Sequence, residues 1–234
     1  FASQIKLNMW RRNGMAVADG FEANLIYRRV VWSELLPKLT ECNGLVDALR
    51  SDTVCVANPL AAKIAGNKAC MAYLSNPDHR DRFTHEQWET IRAHVPWTAV
   101  LRHGGVDYEG KKIDPFDLAA ADPAGFVIKP LNSYGGRGVM LGDQVSVAEW
   151  EERLAQVEGE PDGWCLQARI PIPAEIFPWV TDGLGWESRN VNLNPYVLGG
   201  RYGGALTRLS KSPVINVSAG GGMVPTFVVT GRTS

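Results

Sequence analysis

The stretch from Phe126 to Gly142 constrains this chain more than any other part of it. Phe126, Val127 and Ile128 form a short apolar run that reads as a buried strand. Lys129 stands at its polar end, a glycine-rich loop follows, and Gly138 to Leu141 reads as a returning strand. The glycines therefore fall at the tip of a hairpin with a lysine at its base. Residues without a Cβ let backbone N–H groups approach a ligand closely, and successive N–H groups make a concavity for anions. An ammonium beside such a loop suits a polyphosphate. The plainer alternative is a hairpin whose glycines serve only its turns.

Other phosphate motifs do not fit. A dinucleotide fingerprint places its glycines between a strand and a helix, whereas here a strand follows them. A Walker loop requires Gly-Lys followed by Ser or Thr, which occurs nowhere in the chain. A protein kinase sets its lysine after the glycine loop, not before it. His79-Arg80-Asp81 mimics the kinase catalytic triplet, but Glu86 stands where the asparagine belongs and there is no Asp-Phe-Gly. That triplet reads as exposed loop.

With 234 residues and 45% hydrophobic content, the chain can bury a sizeable core in one or two domains. Its 24 basic and 25 acidic residues give no global attraction to nucleic acid or to a membrane surface. No apolar run approaches the roughly 20 residues of a membrane span, and no signal peptide is visible. Cys42, Cys55, Cys70 and Cys165 show no metal spacing. Cys55 and Cys165 lie in apolar strands and read as small core residues. Free thiols suit a reducing cytoplasm, although four cysteines can also pair. The chain opens on Phe1 rather than Met, which leads us to expect a larger protein.

In chain order, Ile5, Met9 and Trp10 share a helical face that Gly14 would stop. Met15 to Ala18 and Leu25 to Val31 read as strands, Ser33 to Leu39 and Leu45 to Leu49 as helical, and Thr53 to Ala57 as a strand. Asn58-Pro59 reads as a helix start, interrupted at Gly66 and resumed at Asn67-Lys68. Residues 76–82 read as a charged loop. Thr84 to Gln87 and Ser146 to Glu149 are capping boxes, the second opening a helix with Val147, Trp150, Leu154 and Val157 on one face. The polar stretch up to Asp114 reads as exposed loop. Trp164 to Ile170 reads as a strand with Gln167 opposite its apolar face. The last third reads as strands over residues 189–197, 204–209, 213–217 and 224–230.

The order strand, glycine hairpin, strand, helix, strand over Phe126 to Ile170 resembles the nucleotide half of the ATP-grasp superfamily. The likeness extends to its circularly permuted branch, which includes glutathionylspermidine-synthetase-like proteins. It is carried by Tyr27-Arg28-Arg29, Ala57-Asn58-Pro59 with Asn67-Lys68, Val95-Pro96-Trp97-Thr98, the Lys129 hairpin and Glu149-Trp150-Glu151. Residues 203–208 (Gly-Gly-Ala-Leu-Thr-Arg) and 216–222 (Asn-Val-Ser-Ala-Gly-Gly-Gly) complete the set.

This resemblance implies roles. Lys68 and Lys129 would hold nucleotide phosphates, with loop contacts from Ser133, Gly135, Gly136 and Gly138. Gln167 would stand near the adenine, with Ala168 to Ile170 as the backbone hinge. Arg208 would face the transferring phosphoryl group. Asn216 would form, with Gly221 and Gly222, an anion pocket near the acyl phosphate. Arg28 or Arg29 would bind a substrate carboxylate. Each residue has a plainer reading: surface ion pairs for Arg28 and Arg29, a solvated helix position for Lys68, sheet-face positions for Gln167 and Arg208, and a turn for the glycines.

The implied architecture is α/β with α+β layers, a permuted ATP-grasp fold. Residues 1–75 would form a small α/β substrate-side domain and residues 76–234 the nucleotide-binding region. The implied reaction is ATP-dependent carboxylate–amine ligation through an acyl phosphate, with ATP and Mg²⁺. Its substrates would be a small-molecule or peptide carboxylate and an amine, in the cytoplasm, without nucleic acid or membrane. One departure stands out. Mg²⁺ needs hard oxygen ligands, and beyond residue 170 the acids are Glu175, Asp182 and Glu187, with neutral Asn190, Asn192 and Asn194 on one strand face. The metal ligands are therefore left unassigned and are expected in a segment before Phe1. A non-catalytic nucleotide-binding or scaffold protein is the alternative.

Overall fold

A computed structural model of the chain describes residues 9–12, 15–18, 21–28, 30–50, 54–160, 163–180, 183–215 and 221–228. The chain is mixed α/β, with helices segregated around several antiparallel sheets in the manner of an α+β protein. It divides into two compact units between Asn67 and Lys68.

In the first unit, strands β1 (Met9–Arg12), β2 (Met15–Ala18) and β3 (Phe21–Ala23) form an antiparallel sheet. The helix expected around Met9 and Trp10 is instead β1, paired with β2. Pairing with β2 over four residues supplies the backbone hydrogen bonds that the expected helix would have made within itself. Strands β4 (Leu25–Tyr27) and β5 (Cys55–Ala57) pair in parallel. Parallel neighbours need a crossover, and α1 (Trp32–Leu35), a 3₁₀ segment (Leu36–Cys42) and α2 (Asn43–Arg50) supply it. Two small apolar clusters result, one on Val30, Leu35 and Cys42, the other on Ala48, Val54 and Val56. Cys55 is exposed, contrary to its expected core position. Helix α3 (Ala62–Ala65) begins later than the expected start at Asn58-Pro59. Arg28 takes the carbonyls of both residues and holds them as a turn.

The second unit opens with α4 (Ala69–Ser75) and a 3₁₀ segment (Pro77–Arg82) where a loop was expected. Helix α5 (His85–His94) starts at the Thr84 capping box, with Thr84 Oγ1 accepting from the Gln87 N–H at 3.2 Å and Gln87 Oε1 from the Thr84 N–H at 2.9 Å. Strand β6 (Thr98–Val100) follows. The polar stretch to Asp114 is not plain loop: β7 (Val106–Tyr108) and β8 (Lys111–Ile113) form a hairpin. Asp114 then caps helix α6 (Pro115–Ala121) through the Phe116 N–H at 2.8 Å.

The organising hairpin consists of β9 (Phe126–Pro130) and β10 (Met140–Leu141), after which the Ser146 capping box opens α7 (Val147–Glu158). With β11 (Trp164–Ala168) these strands make a four-stranded sheet in the order β10-β9-β11-β6. All its pairings are antiparallel. One face carries Phe126, Ile128, Trp164 and Leu166 and packs on Leu118 and Ala119 of α6 and on Trp150, Leu154 and Val157 of α7. Trp150 is fully buried, and its indole N–H donates to Ala119 O at 2.9 Å, joining the two helices.

A second four-stranded antiparallel sheet follows, in the order β12 (Ala174–Val180), β13 (Leu184–Leu198), β14 (Arg201–Ser210) and β15 (Gly222–Val224). The strand expected from residue 213 is absent among the described residues, where 211–214 form bends. The expectation for 216 and 217 lies outside those residues.

Candidate functional site at the base of the glycine hairpin

Sheet register assembles the site. Lys129 on β9 lies opposite Cys165 on β11, Val127 lies opposite Gln167, and Gln167 lies opposite Thr98 on β6. Opposed residues share a face, so Lys129, Cys165, Gln167 and Thr98 project from the side away from α6 and α7. The Lys129 ammonium donates to Gln167 Oε1 at 2.5 Å. Gln167 Nε2 donates to Thr98 Oγ1 at 2.9 Å and meets Met71 Sδ of α4 at 3.2 Å. Thr98 Oγ1 donates in turn to Pro96 O at 2.9 Å.

Lys68, at the N-terminal boundary of α4, holds the start of the loop. Its backbone N–H donates to Leu131 O at 3.1 Å, and its ammonium donates to Pro130 O at 2.8 Å and Ser133 O at 2.9 Å. Ser133 Oγ donates to Arg137 O at 3.0 Å, closing the loop on itself. Gly135, Gly136 and Gly138 have φ of 69°, 76° and 73°, a region costly for residues with a Cβ. A Cβ on Gly136 would also come within 2.6 Å of Val214, so the loop tip lies against the segment after β14. Tyr134 is exposed, with the Arg137 guanidinium over its ring.

The electrostatics are one-sided. Burial holds the Lys129 ammonium below the ordinary lysine range; Cys165 acts the other way, and the charges of Lys68 and Arg169 add smaller depressions. Among the described residues no carboxylate acts on it. Arg169, the other nearby cation, is paired with Asp143 at 3.0 Å. Burial pushes the Cys165 thiol up to about 11, so it is a protonated packing group and not a nucleophile. An ammonium has three donors, and Gln167 takes one of those on Lys129.

The remaining predicted residues lie elsewhere. In the hinge, Ala168 N–H donates to Trp97 O and Arg169 N–H to Gly125 O, both at 2.8 Å, while Ile170 is exposed. Arg208 is on β14 between Asn192 and Met223, and its buried Nε has no partner among the described residues. Gly222 opens β15 opposite Leu209, with Gly221 just before it. Arg28 belongs to the first unit. Its guanidinium donates to Asn58 O at 2.9 Å, to Val30 O and to Pro59 O, so backbone carbonyls occupy it. Arg29 and Asn216 lie outside the described residues.

Among the described residues no three His, Cys, Asp or Glu side chains gather as a cation site, so they do not by themselves provide a Mg²⁺ cage. No described helix is long and apolar enough to cross a membrane. Two clefts, of about 340 and 410 Å³, open near Trp97. Neither is lined by Lys68, Lys129 or the glycine loop, although Thr98 lines the first. Thr98 and Met71 contact Gln167 directly, a placement that follows from strand pairing and helix packing rather than from local sequence.

No known protein family matches the chain. It is similar to an uncharacterized protein of Synechocystis, 25% identical over 256 residues that cover 99% of this chain and 50% of the relative. Uncharacterized proteins of Mycobacterium tuberculosis and Mycobacterium leprae are 25% and 24% identical, over 91% of this chain and 38% and 37% of their own lengths. The chain thus spans half, or less, of the curated relatives it matches.

Proposed function

We infer that this chain is the nucleotide-binding part of a circularly permuted ATP-grasp protein, and that the protein joins a carboxylate to an amine at the expense of ATP. One observation carries the reading. Lys129 presents a largely buried ammonium, unpaired with any carboxylate among the described residues and close to Lys68, at the base of a glycine loop with three positive-φ residues. A protein spends stability on an uncompensated buried charge where an anion is to be bound. Polyphosphate is the anion such a loop accommodates, because its N–H groups and the ammonium offer several charge-assisted hydrogen bonds at once.

In this reading Lys129 binds a phosphate oxygen, the loop closes over the chain of phosphates, and Lys68 fixes the loop's start through two carbonyls. Arg208, with its unpartnered Nε, would offset charge developing on the transferred phosphoryl group. The carboxylate substrate would attack the terminal phosphorus to give an acyl phosphate and ADP, and the amine would displace phosphate to give the amide. Mg²⁺ would neutralise phosphate charge when bound, but the described residues supply no set of ligands for it and no step is assigned to it.

The test uses the full-length protein with ATP, candidate amino acids and short peptides, and hydroxylamine. The reading requires ADP release that depends on the carboxylate, together with a hydroxamate from trapped acyl phosphate. AMP and pyrophosphate would point to an acyl adenylate and overturn the mechanism. ATP binding without turnover on any acid would favour a nucleotide-binding scaffold.

A further inference from the structure

The direction of Lys129 is set by a series of hydrogen bonds that ends on the main chain. The Thr98 hydroxyl has one proton, and it goes to Pro96 O at 2.9 Å. What Thr98 offers Gln167 is therefore a lone pair, and only the amide nitrogen can use it. That choice turns the amide oxygen to Lys129. A flipped amide would set an N–H₂ group against an ammonium and leave the Thr98 oxygen facing a carbonyl. Gln167 and Thr98 are 5% and 2% exposed, so water cannot readily replace either partner.

The acceptor is also neutral. A glutamate in the same place would pair with Lys129 as a buried ion pair and neutralise it. The amide fixes the ammonium in space and leaves its charge uncancelled, with Lys68, Arg169 and the protonated Cys165 as the titratable groups around it. Pro96 and Thr98, part of a motif that the ligation chemistry leaves without a task, are thereby drawn into the site.

We propose that Thr98 and Gln167 are positioning residues for Lys129: together they fix the place of its ammonium and keep it unneutralised for a phosphate ligand. The phosphate half of this statement rests on the nucleotide reading above; the hydrogen-bond half does not.

Two measurements on the full chain test it. The first is calorimetric titration with ATP of the wild type, Thr98→Val, Thr98→Ser and Gln167→Glu. Thr98→Val keeps shape but removes the lone pair, and ATP should bind about tenfold more weakly, the upper range for one neutral hydrogen bond. Thr98→Ser restores the hydroxyl and should bind within about twofold of wild type. Gln167→Glu should weaken binding by tenfold or more, since its carboxylate competes with phosphate. The second is NMR titration of the Lys129 amine with isotope-labelled lysine. The amine should titrate at higher pH in Gln167→Glu than in wild type, because a carboxylate favours the charged form. Equal ATP affinity in Thr98→Val and Thr98→Ser, or an unmoved Lys129 titration in Gln167→Glu, would overturn the proposal. If the wild type fails to bind ATP, the nucleotide reading falls, while the NMR titration still decides whether Gln167 governs Lys129.

Discussion

Replacing Lys129 by methionine separates a ligand-binding lysine from a structural one. Methionine keeps most of the apolar stem and removes only the ammonium. If that group binds phosphate, one charge-assisted hydrogen bond worth about 1.5–3 kcal/mol is lost, and ATP affinity falls about ten- to hundredfold. Fold stability is subject to two opposed terms. Gln167 Oε1, buried and normally bonded to Lys129 at 2.5 Å, loses its donor, at a cost of about 1–3 kcal/mol. Against this, a desolvated ammonium disappears, and its depressed titration shows that burial outweighs its favourable contacts. The two terms oppose each other, so net stability should fall by less than the about 1–3 kcal/mol that the orphaned acceptor alone would cost. Calorimetry with ATP gives the first quantity, and urea denaturation at unchanged m-value gives the second. A loss of about 3 kcal/mol or more in stability with ATP affinity intact would make Lys129 a structural group and refute the reasoning. There is also a pH signature. The folded state binds the Lys129 proton less tightly than the unfolded chain does. Wild-type stability therefore rises with pH from the depressed folded value up to the ordinary 10.5, and Lys129→Met lacks that rise.

Further outcomes follow from the same geometry. Gly138→Ala places a Cβ 2.8 Å from the Pro130 ring at φ 73°, and should cost about 1–3 kcal/mol in denaturation experiments while also weakening ATP binding. His103 bonds Glu158 at 2.8 Å and Asp114 at 3.1 Å, and these carboxylates raise its titration above 6.5. Its contribution to stability is complete below 6.5 and is lost as pH rises through the raised value; His103→Gln should flatten that part of the stability–pH curve in urea melts across neutral pH.

Local signals were legible in the sequence where they were chemically redundant. The capping boxes at Thr84 and Ser146 each combine two reciprocal bonds in four residues, and both helices begin there. The β9–β10 hairpin was legible because an apolar run, a lysine and three glycines left little else for the segment to do. The β7–β8 hairpin was hidden by composition, because it lies in a polar stretch, and helix α6 just after it was missed although Asp114-Pro115 is a helix-start signal in its own right. At the N-terminal end, the helical spacing of Met9 and Trp10 misled, because those residues pair as a strand with Val17 and Ala18. In the site, strand alternation already placed Gln167 off the apolar face, but its partners were not legible. Which residue of β6 meets Gln167 depends on the β11–β6 register, and the contact from Met71 depends on how α4 lies over the sheet. The same holds for Lys68 and Arg28. The sequence shows two cations, and only tertiary structure shows that backbone carbonyls occupy them. Such contacts are set by packing across tens of residues, beyond any local pattern.

The claim that the glycine hairpin is a phosphate-binding lid is tested most directly by amide hydrogen exchange over residues 132–138, with and without saturating ATP. The loop's tip is exposed at Tyr134, and closure over phosphates would tie its N–H groups to the ligand. ATP should slow exchange across this segment, AMP should do so much less, and Lys129→Met should need about ten- to hundredfold more ATP for the same slowing. Equal exchange with and without ATP at saturation would contradict the assignment of this hairpin as the nucleotide site.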